Sequence, residues 1–532
     1  MLKNIDFSIM FIYLCILIFI GYVSGKESKS SDDFFVANRQ MTWLPIALSI
    51  AATNISGNGF IGGPGWSYSH GINPFMLNIA VPFACFFTIW IIVPIIYHLK
   101  VISIYEYTNL RFGEKTKLLL ILHFFINSII QVSSMIFIPS LFLVTMTGWS
   151  LKVIVPIIVI CSIIYTAMGG IKAVIWTDVF QMVIVWGSIF LIIWIAFDHI
   201  NLSFIDFFTQ ARNSGKLNAL NFSFAPTKDN TFWGTLLGGS ILWIRYFAFD
   251  QTQVQRVLTA NSIKSVKRSI FTSAIIMNSV YFLLLFIGVI LFFFYKGQHF
   301  ENSNEIMINF LLNNIPNGLL GLVIAGIFAS VMSSVDSILN SMTTIFIKDI
   351  YEEYLKKDHS KKTSKSVTII SSIIFGVIIT FFVIIGFGNS VRSILDTVGL
   401  YISYLVGPAC AIFILGIFSR KINDNQASLG LIMGLILGFI ASSITKVSWI
   451  WNPFIGFFIT VFICYLLNII SHTPITVESE KYTIYEIIKS IKNEKHEGDE
   501  KIYYLPGHLD KFALGTLAFF LFQYVFLFFI QK

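Results

Sequence analysis

Fourteen apolar stretches of about 20 residues run along this chain, each long enough to carry a helix across roughly 30 Å of hydrocarbon. They centre near Leu14, Ala52, Phe87, Ile130, Ile158, Ile184, Ser240, Leu283, Ser330, Val377, Leu405, Met433, Phe458 and Phe519. None alternates in the ten-residue pattern of a barrel strand, so the expected class is an all-α polytopic membrane protein. Composition agrees, because 56% of the 532 residues are hydrophobic and only 12% are charged, a balance that a water-soluble domain does not have.

Cytoplasmic loops collect Lys and Arg, which orients the bundle. The loops at 24–40, 98–117, 168–172, 251–268, 348–366, 419–426 and 471–511 hold 26 of the 36 basic residues, and the alternate loops with the two ends hold nine. Both termini are therefore expected to be extracytoplasmic. The net charge of +8 is read as loops facing anionic membrane lipid, not as a nucleic-acid surface. Usage rich in Lys, Ile, Asn and Phe fits an AT-rich bacterial genome, and hence a bacterial cytoplasmic (inner) membrane. Lys3 precedes an apolar run, but no small-x-small cleavage site follows, so the first helix is expected to be retained. Cys15, Cys85, Cys161, Cys410 and Cys464 all lie in apolar spans without metal-type spacing, which points to core packing.

The two largest polar segments, near 201–230 and 471–510, read as surface connections. With no Walker-type loop and no kinase or receptor module, the chain is not expected to be an enzyme. Energy for transport would come from an ion gradient or from the solute itself.

Two spans are interrupted in composition. The second reads SIAATNISGNGFIGGPGWSYSHG, and the seventh reads GTLLGGSILWIRYFAFDQ, with Gly238 and Gly239 ahead of Arg245 and Asp250. Broken hydrophobic segments at matching places in two halves mark inverted-repeat transporters with a midplane site. Backbone carbonyls freed at that depth must line a cavity or be buried in protein. A third feature is SVMSSVDSILNSM, where Ser330, Ser333, Ser334, Ser337 and Ser341 recur at helical spacing with Asp336 at the edge of the stripe. Hydroxyl oxygens on one helix face within lipid suggest a bound cation, although single serines commonly bond back to their own helix.

These residues carry a resemblance. AATNISGNGFIGGPGWSY at 51–68, YTAMGGIKAVIWTDVFQ at 165–181, FDQTQVQRVL at 249–258, SSVDSILNSMTTIFIKDIY at 333–351 and LGIFSRK at 415–421 resemble, in order, the sodium:solute symporter family. That family includes sugar, proline, pantothenate, monocarboxylate and sialic acid carriers, and the similarity runs from about residue 5 to 470. The resemblance implies a LeuT-like five-plus-five inverted-repeat core with one helix before it and three after, about 14 transmembrane helices in all. Its parts would be a leading helix at 4–24, a first repeat at 41–198, a second at 232–418 and C-terminal helices at 427–530. It also implies a sodium-coupled symporter importing a small polar organic solute such as a sugar, a sugar acid like sialic acid, or a monocarboxylate. An uncoupled or proton-coupled channel or uniporter on the same fold, or a solute sensor, is the alternative. The expected partners are sodium, the solute and membrane lipid, with the oligomeric state open.

By the same resemblance, one sodium would be held by the carbonyls of Ala52, Ile55 and Ser330 and the hydroxyls of Ser333 and Ser334. Neutral oxygens suit a hard monovalent ion that must also be released. Asp178, Asp336 and Ser337 would form a second sodium site, and Asp336 stands where relatives often carry Ser, Thr or Ala. A carboxylate within a span is costly unless paired or coordinating, so pairing of Asp178 or Asp336 with a loop Lys such as Lys172 competes with that reading. At the polar positions of sugar-carrying relatives this chain has Gly59, Asn78, Trp243 and Met277, and it keeps the gating aromatic as Tyr246. Asn58, Asn78, Gln131, Trp243, Arg245 and Tyr246 are the candidate solute and gate residues. The guanidinium of Arg245 suits a solute carboxylate, or else an intramolecular partner such as Asp250 or Asp396.

Overall fold

The computed structural model describes residues 3–27, 31–200, 202–356, 363–386, 394–471, 477–493 and 501–532, which are overwhelmingly helical. Among the described residues, ten helices are long and apolar enough to cross a membrane, and the bent pair Trp43–Asn54 and Gly57–His70 makes an eleventh. The remaining three expected crossings take other forms. Leu151–Ile200 is one run of 50 residues, about 75 Å long and more than twice the hydrocarbon thickness. It holds two crossings that meet at Gly170, where φ of 58° and ψ of −147° interrupt the helix. Ile394–Phe418 carries a shorter apolar run, Ile402–Phe418.

The seventh expected crossing differs most from its sequence reading. It is assembled from Phe232–Gly234, a π-helical turn at Thr235–Gly239 and the helix Ser240–Phe249. Gly238 and Gly239 do not break it; a Cβ on Gly238 would run into the Ile450 carbonyl, so this glycine permits close approach instead. The break falls at Asp250 (φ −88°, ψ 125°), whose side chain accepts the Thr252 N–H and so caps the following helix Gln251–Leu258.

Leu319–Ile345, hereafter the serine helix, lies at the centre. Its crossing is 94% buried, against 22% for the leading helix. It packs on the long helix Leu151–Ile200, on the leading helix Asn4–Glu27, on Glu114–Thr147 and on both halves of the bent pair. Its N-terminus is capped from outside: the buried carboxylate of Asp6 accepts the Gly318 N–H at 2.7 Å and the Gly321 N–H at 2.9 Å. Those are donors that a helix start leaves without an internal partner.

The bend between Trp43–Asn54 and Gly57–His70 measures 60°. Ile55 (φ −77°, ψ 84°) ends the first half, and Ser56 in extended conformation starts the second by accepting the Gly59 N–H. At Gly57 a Cβ would press on Pro139 and would stand 2.6 Å from Cγ2 of Val331. Only glycine lets the bend sit this close to the Glu114–Thr147 helix and the serine helix.

Candidate functional site

A helix that stops at Asn54 leaves its last carbonyls without the N–H groups that a continuing helix would supply. The serine helix supplies hydroxyls in their place. Ser333 Oγ donates to the Ala52 carbonyl at 3.0 Å and Ser334 Oγ to the Thr53 carbonyl at 2.9 Å. Both hydroxyls also lie 3.3 Å from the Ser330 carbonyl. Ala52, Ile55, Ser330, Ser333 and Ser334 are all buried. The two hydroxyls and the carbonyls of Ala52 and Ser330 therefore meet in one place, while Ile55 forms the bend beside them. The set is neutral, oxygen-only and shielded from water, which fits a monovalent alkali cation.

Asp178, Asp336 and Ser337 also come together, in company the sequence reading did not foresee. Asp178 accepts from Ser49 Oγ at 2.5 Å and from the Arg256 guanidinium at 3.1 Å. Arg256 donates as well to Ser49 Oγ at 2.6 Å, to Ser337 Oγ and to the Thr252 carbonyl. Asp336 accepts from the Tyr165 hydroxyl at 2.9 Å and lies 3.1 Å from Ser337 Oγ. Asp178, Arg256 and Asp336 are all fully buried. The cation that meets Asp178 is thus Arg256, reaching in from the short helix after the break at Asp250. Its signal was present in FDQTQVQRVL, where counting it only as a loop base hid it.

The solute candidates divide. Asn58 is buried at the bend, and among the described residues its Oδ1 has no hydrogen-bond partner. Trp243 donates to the Leu77 carbonyl at 3.0 Å, next to Asn78, and its ring meets Tyr246 edge-on at 5.7 Å. The Tyr246 hydroxyl accepts from Gln253 at 2.6 Å. Gln131 is half-buried on the Glu114–Thr147 helix, which packs against Gly57–His70. Gly59 faces the Tyr281 ring, and the Tyr281 hydroxyl donates to the Asn54 carbonyl at 2.9 Å. Met277 is buried.

Arg245 is the one whose surroundings argue against a solute role. It forms an ion pair with Asp250, five residues on, and both are buried. Its charge is matched within its own broken crossing. The side chain of Asp396 lies outside the described residues. A cavity of about 360 Å³ opens elsewhere, between the leading helix and the long helix; it is lined mainly by apolar groups such as Phe11, Leu14, Ile157 and Met332, which suits a polar solute poorly.

The chain as a whole has known counterparts. The chain is 29% identical to the sodium/sialic acid symporter SiaT of Proteus mirabilis over 81% of its own length and 88% of that protein. It is 26% identical to sodium-coupled monocarboxylate transporter 2 of Mus musculus, covering 78% and 68% of the two chains. Its structure superposes with a TM-score of 0.79 on a substrate-bound, outward-open sodium-coupled sialic acid symporter, 26% identical, covering 89% of this chain and 99% of that one. This chain and that solved symporter share the LeuT-like architecture, and the profile described as the Sodium:solute symporter family matches residues 34–434. The chain belongs to the sodium:solute symporter family.

Proposed function

We propose that this protein couples inward sodium movement to uptake of a small organic acid across a bacterial cytoplasmic membrane by alternating access. The observation that carries the reading is the pairing of Ser333 and Ser334 with the carbonyls of Ala52 and Thr53. It brings two hydroxyls to a place in the bend where backbone oxygens are released from helical bonding. Sodium would be held there by oxygens of Ala52, Ile55, Ser330, Ser333 and Ser334. Each sodium ion moving inward releases about 2.3 kcal/mol per 100 mV, before any concentration term.

The solute would lie beside the bend, against Asn58, Asn78, Gln131, Trp243 and Tyr246. An organic acid is favoured over a hexose because Gly59 and Met277 offer no polar side chain where sugar carriers use one, and sialic acid and monocarboxylate carriers are among the relatives. The loops rich in Lys and Arg would face the cytoplasm, with both termini outside.

Purified protein in proteoliposomes, offered sialic acid, short monocarboxylates, sugars and amino acids with and without an inward sodium gradient, tests the reading. Accumulation of an acid only with the gradient supports it. Equal uptake with potassium in place of sodium would show an uncoupled uniporter instead.

A further inference from the structure

Resting on the sodium site just proposed, the geometry points to Arg256 as a latch: a tethered cation that holds the site shut on the side of the basic loops and must let go for the ion to leave. Arg256 ties together four segments. It sits on Gln251–Leu258, and its guanidinium reaches Ser49 on the first half of the bent pair, Asp178 on the long helix and Ser337 on the serine helix. Among the described residues, no other basic side chain in an ion pair meets three other segments at once through side-chain oxygens. Its own side chain and that of Asp178 are fully buried, so the pair is kept from water, where it would be weak, and breaking it exposes two uncompensated charges.

The latch is wired to the ion site through Thr53. The Thr53 carbonyl takes the Ser334 hydroxyl at 2.9 Å, while the Thr53 hydroxyl lies 3.1 Å from Ser337 Oγ, which Arg256 also holds. One residue of the bend thus touches the proposed sodium ligands with its backbone and the latch with its side chain. A cation that fixes the bend against the serine helix fixes Thr53, and with it the position of Ser337 that Arg256 requires. Release of the cation frees both. Asp178 takes the guanidinium directly, while Asp336 meets the same Ser337 hydroxyl that Arg256 holds.

Arg256 is therefore a positioning residue, and the readout must separate it from a merely structural one. Hydrogen exchange of the intact protein in detergent, read by mass spectrometry in potassium and then in sodium, follows the amides of Gln251–Leu258 and Trp43–Asn54. For the unaltered chain, sodium should slow exchange in both segments by about threefold or more. Arg256→Gln should exchange about tenfold faster at Gln251–Leu258 already in potassium, with little further response to sodium, while Arg256→Lys recovers part of the protection. Protection in Arg256→Gln equal to that of the unaltered chain would overturn the latch. Should Arg256→Gln not fold, Asp178→Asn removes the same pair from the other side with little change of shape and must give the same loss; retained protection there overturns the proposal equally. The double variant Ser333→Ala with Ser334→Ala keeps the two readings apart. It should lose the sodium response yet keep the protection of Gln251–Leu258 in potassium, whereas an intact sodium response in it would refute the ion site and leave the latch standing.

Discussion

Ser333 Oγ donates to the carbonyl of Ala52 at 3.0 Å, across an interface between two segments 281 residues apart in the chain. Removing this hydroxyl and its neighbour leaves the carbonyls of Ala52 and Thr53 buried without partners. Ser333→Ala with Ser334→Ala should therefore weaken sodium binding at least about tenfold, the equivalent of roughly 1.4 kcal/mol. Sodium-induced thermal stabilisation of the purified protein measures this, and unchanged sodium dependence would sink the assignment. Sodium-stimulated uptake should vanish in the same variant.

The Asp6 carboxylate predicts a different kind of effect. It caps the serine helix through Gly318 and Gly321 from the leading helix, so it bears on stability and not on ion selectivity. Asp6→Ala should cost about 0.5–2 kcal/mol, seen as a lower Tm in detergent, with the midpoint for sodium unmoved. Asp6→Asn, which still offers a carbonyl oxygen to both N–H groups, should recover most of the loss. A shift in sodium affinity without a shift in Tm would contradict this role.

Much of the site was legible in the sequence for a physical reason: in lipid, every polar atom must be accounted for within the protein. That made the glycines around the bend and the serine stripe conspicuous, and these are the elements that meet. What escaped was held by residues whose chemistry looked ordinary. Arg256 resembled any loop base, although Asp178, deep in a span, required a cation. Asp6 resembled a polar residue at a helix start, because nothing local shows that its partners lie at Gly318 and Gly321. The interruption of the seventh crossing was read at Gly238 and Gly239, yet it occurs at Asp250, whose side chain supplies the cap that a new helix start needs. Glycine marks close packing as readily as it marks a break.

Arg245 and Asp250 test whether a guanidinium in this crossing serves the solute or the fold. The buried pair predicts that Arg245→Met strands the Asp250 carboxylate and destabilises the protein by about 3–5 kcal/mol. The KM for whichever solute the uptake panel identifies should stay within about twofold, far below the tenfold that 1.4 kcal/mol of lost contact would give. A large rise in KM at unchanged Tm would instead place Arg245 against the solute.

Gly170 and Gly187 stand 17 positions apart in one 50-residue helix, and they should respond to alanine in opposite directions. Gly170 has φ of 58° and a neighbouring Phe34 carbonyl where a Cβ would be built, whereas nothing lies within 4 Å of a Cβ on Gly187. At Gly170 the backbone falls in a region that L residues avoid, so Gly170→Ala should lose about 1–3 kcal/mol from strain alone, with more from the collision. At Gly187 the helical backbone suits alanine, and Gly187→Ala should be neutral or gain up to about 1 kcal/mol by restricting the unfolded chain. Thermal unfolding of the two variants side by side decides it. A destabilised Gly187→Ala beside an unaffected Gly170→Ala would mean that the two crossings do not meet at Gly170, and the path that places Asp178 opposite Arg256 would have to be redrawn.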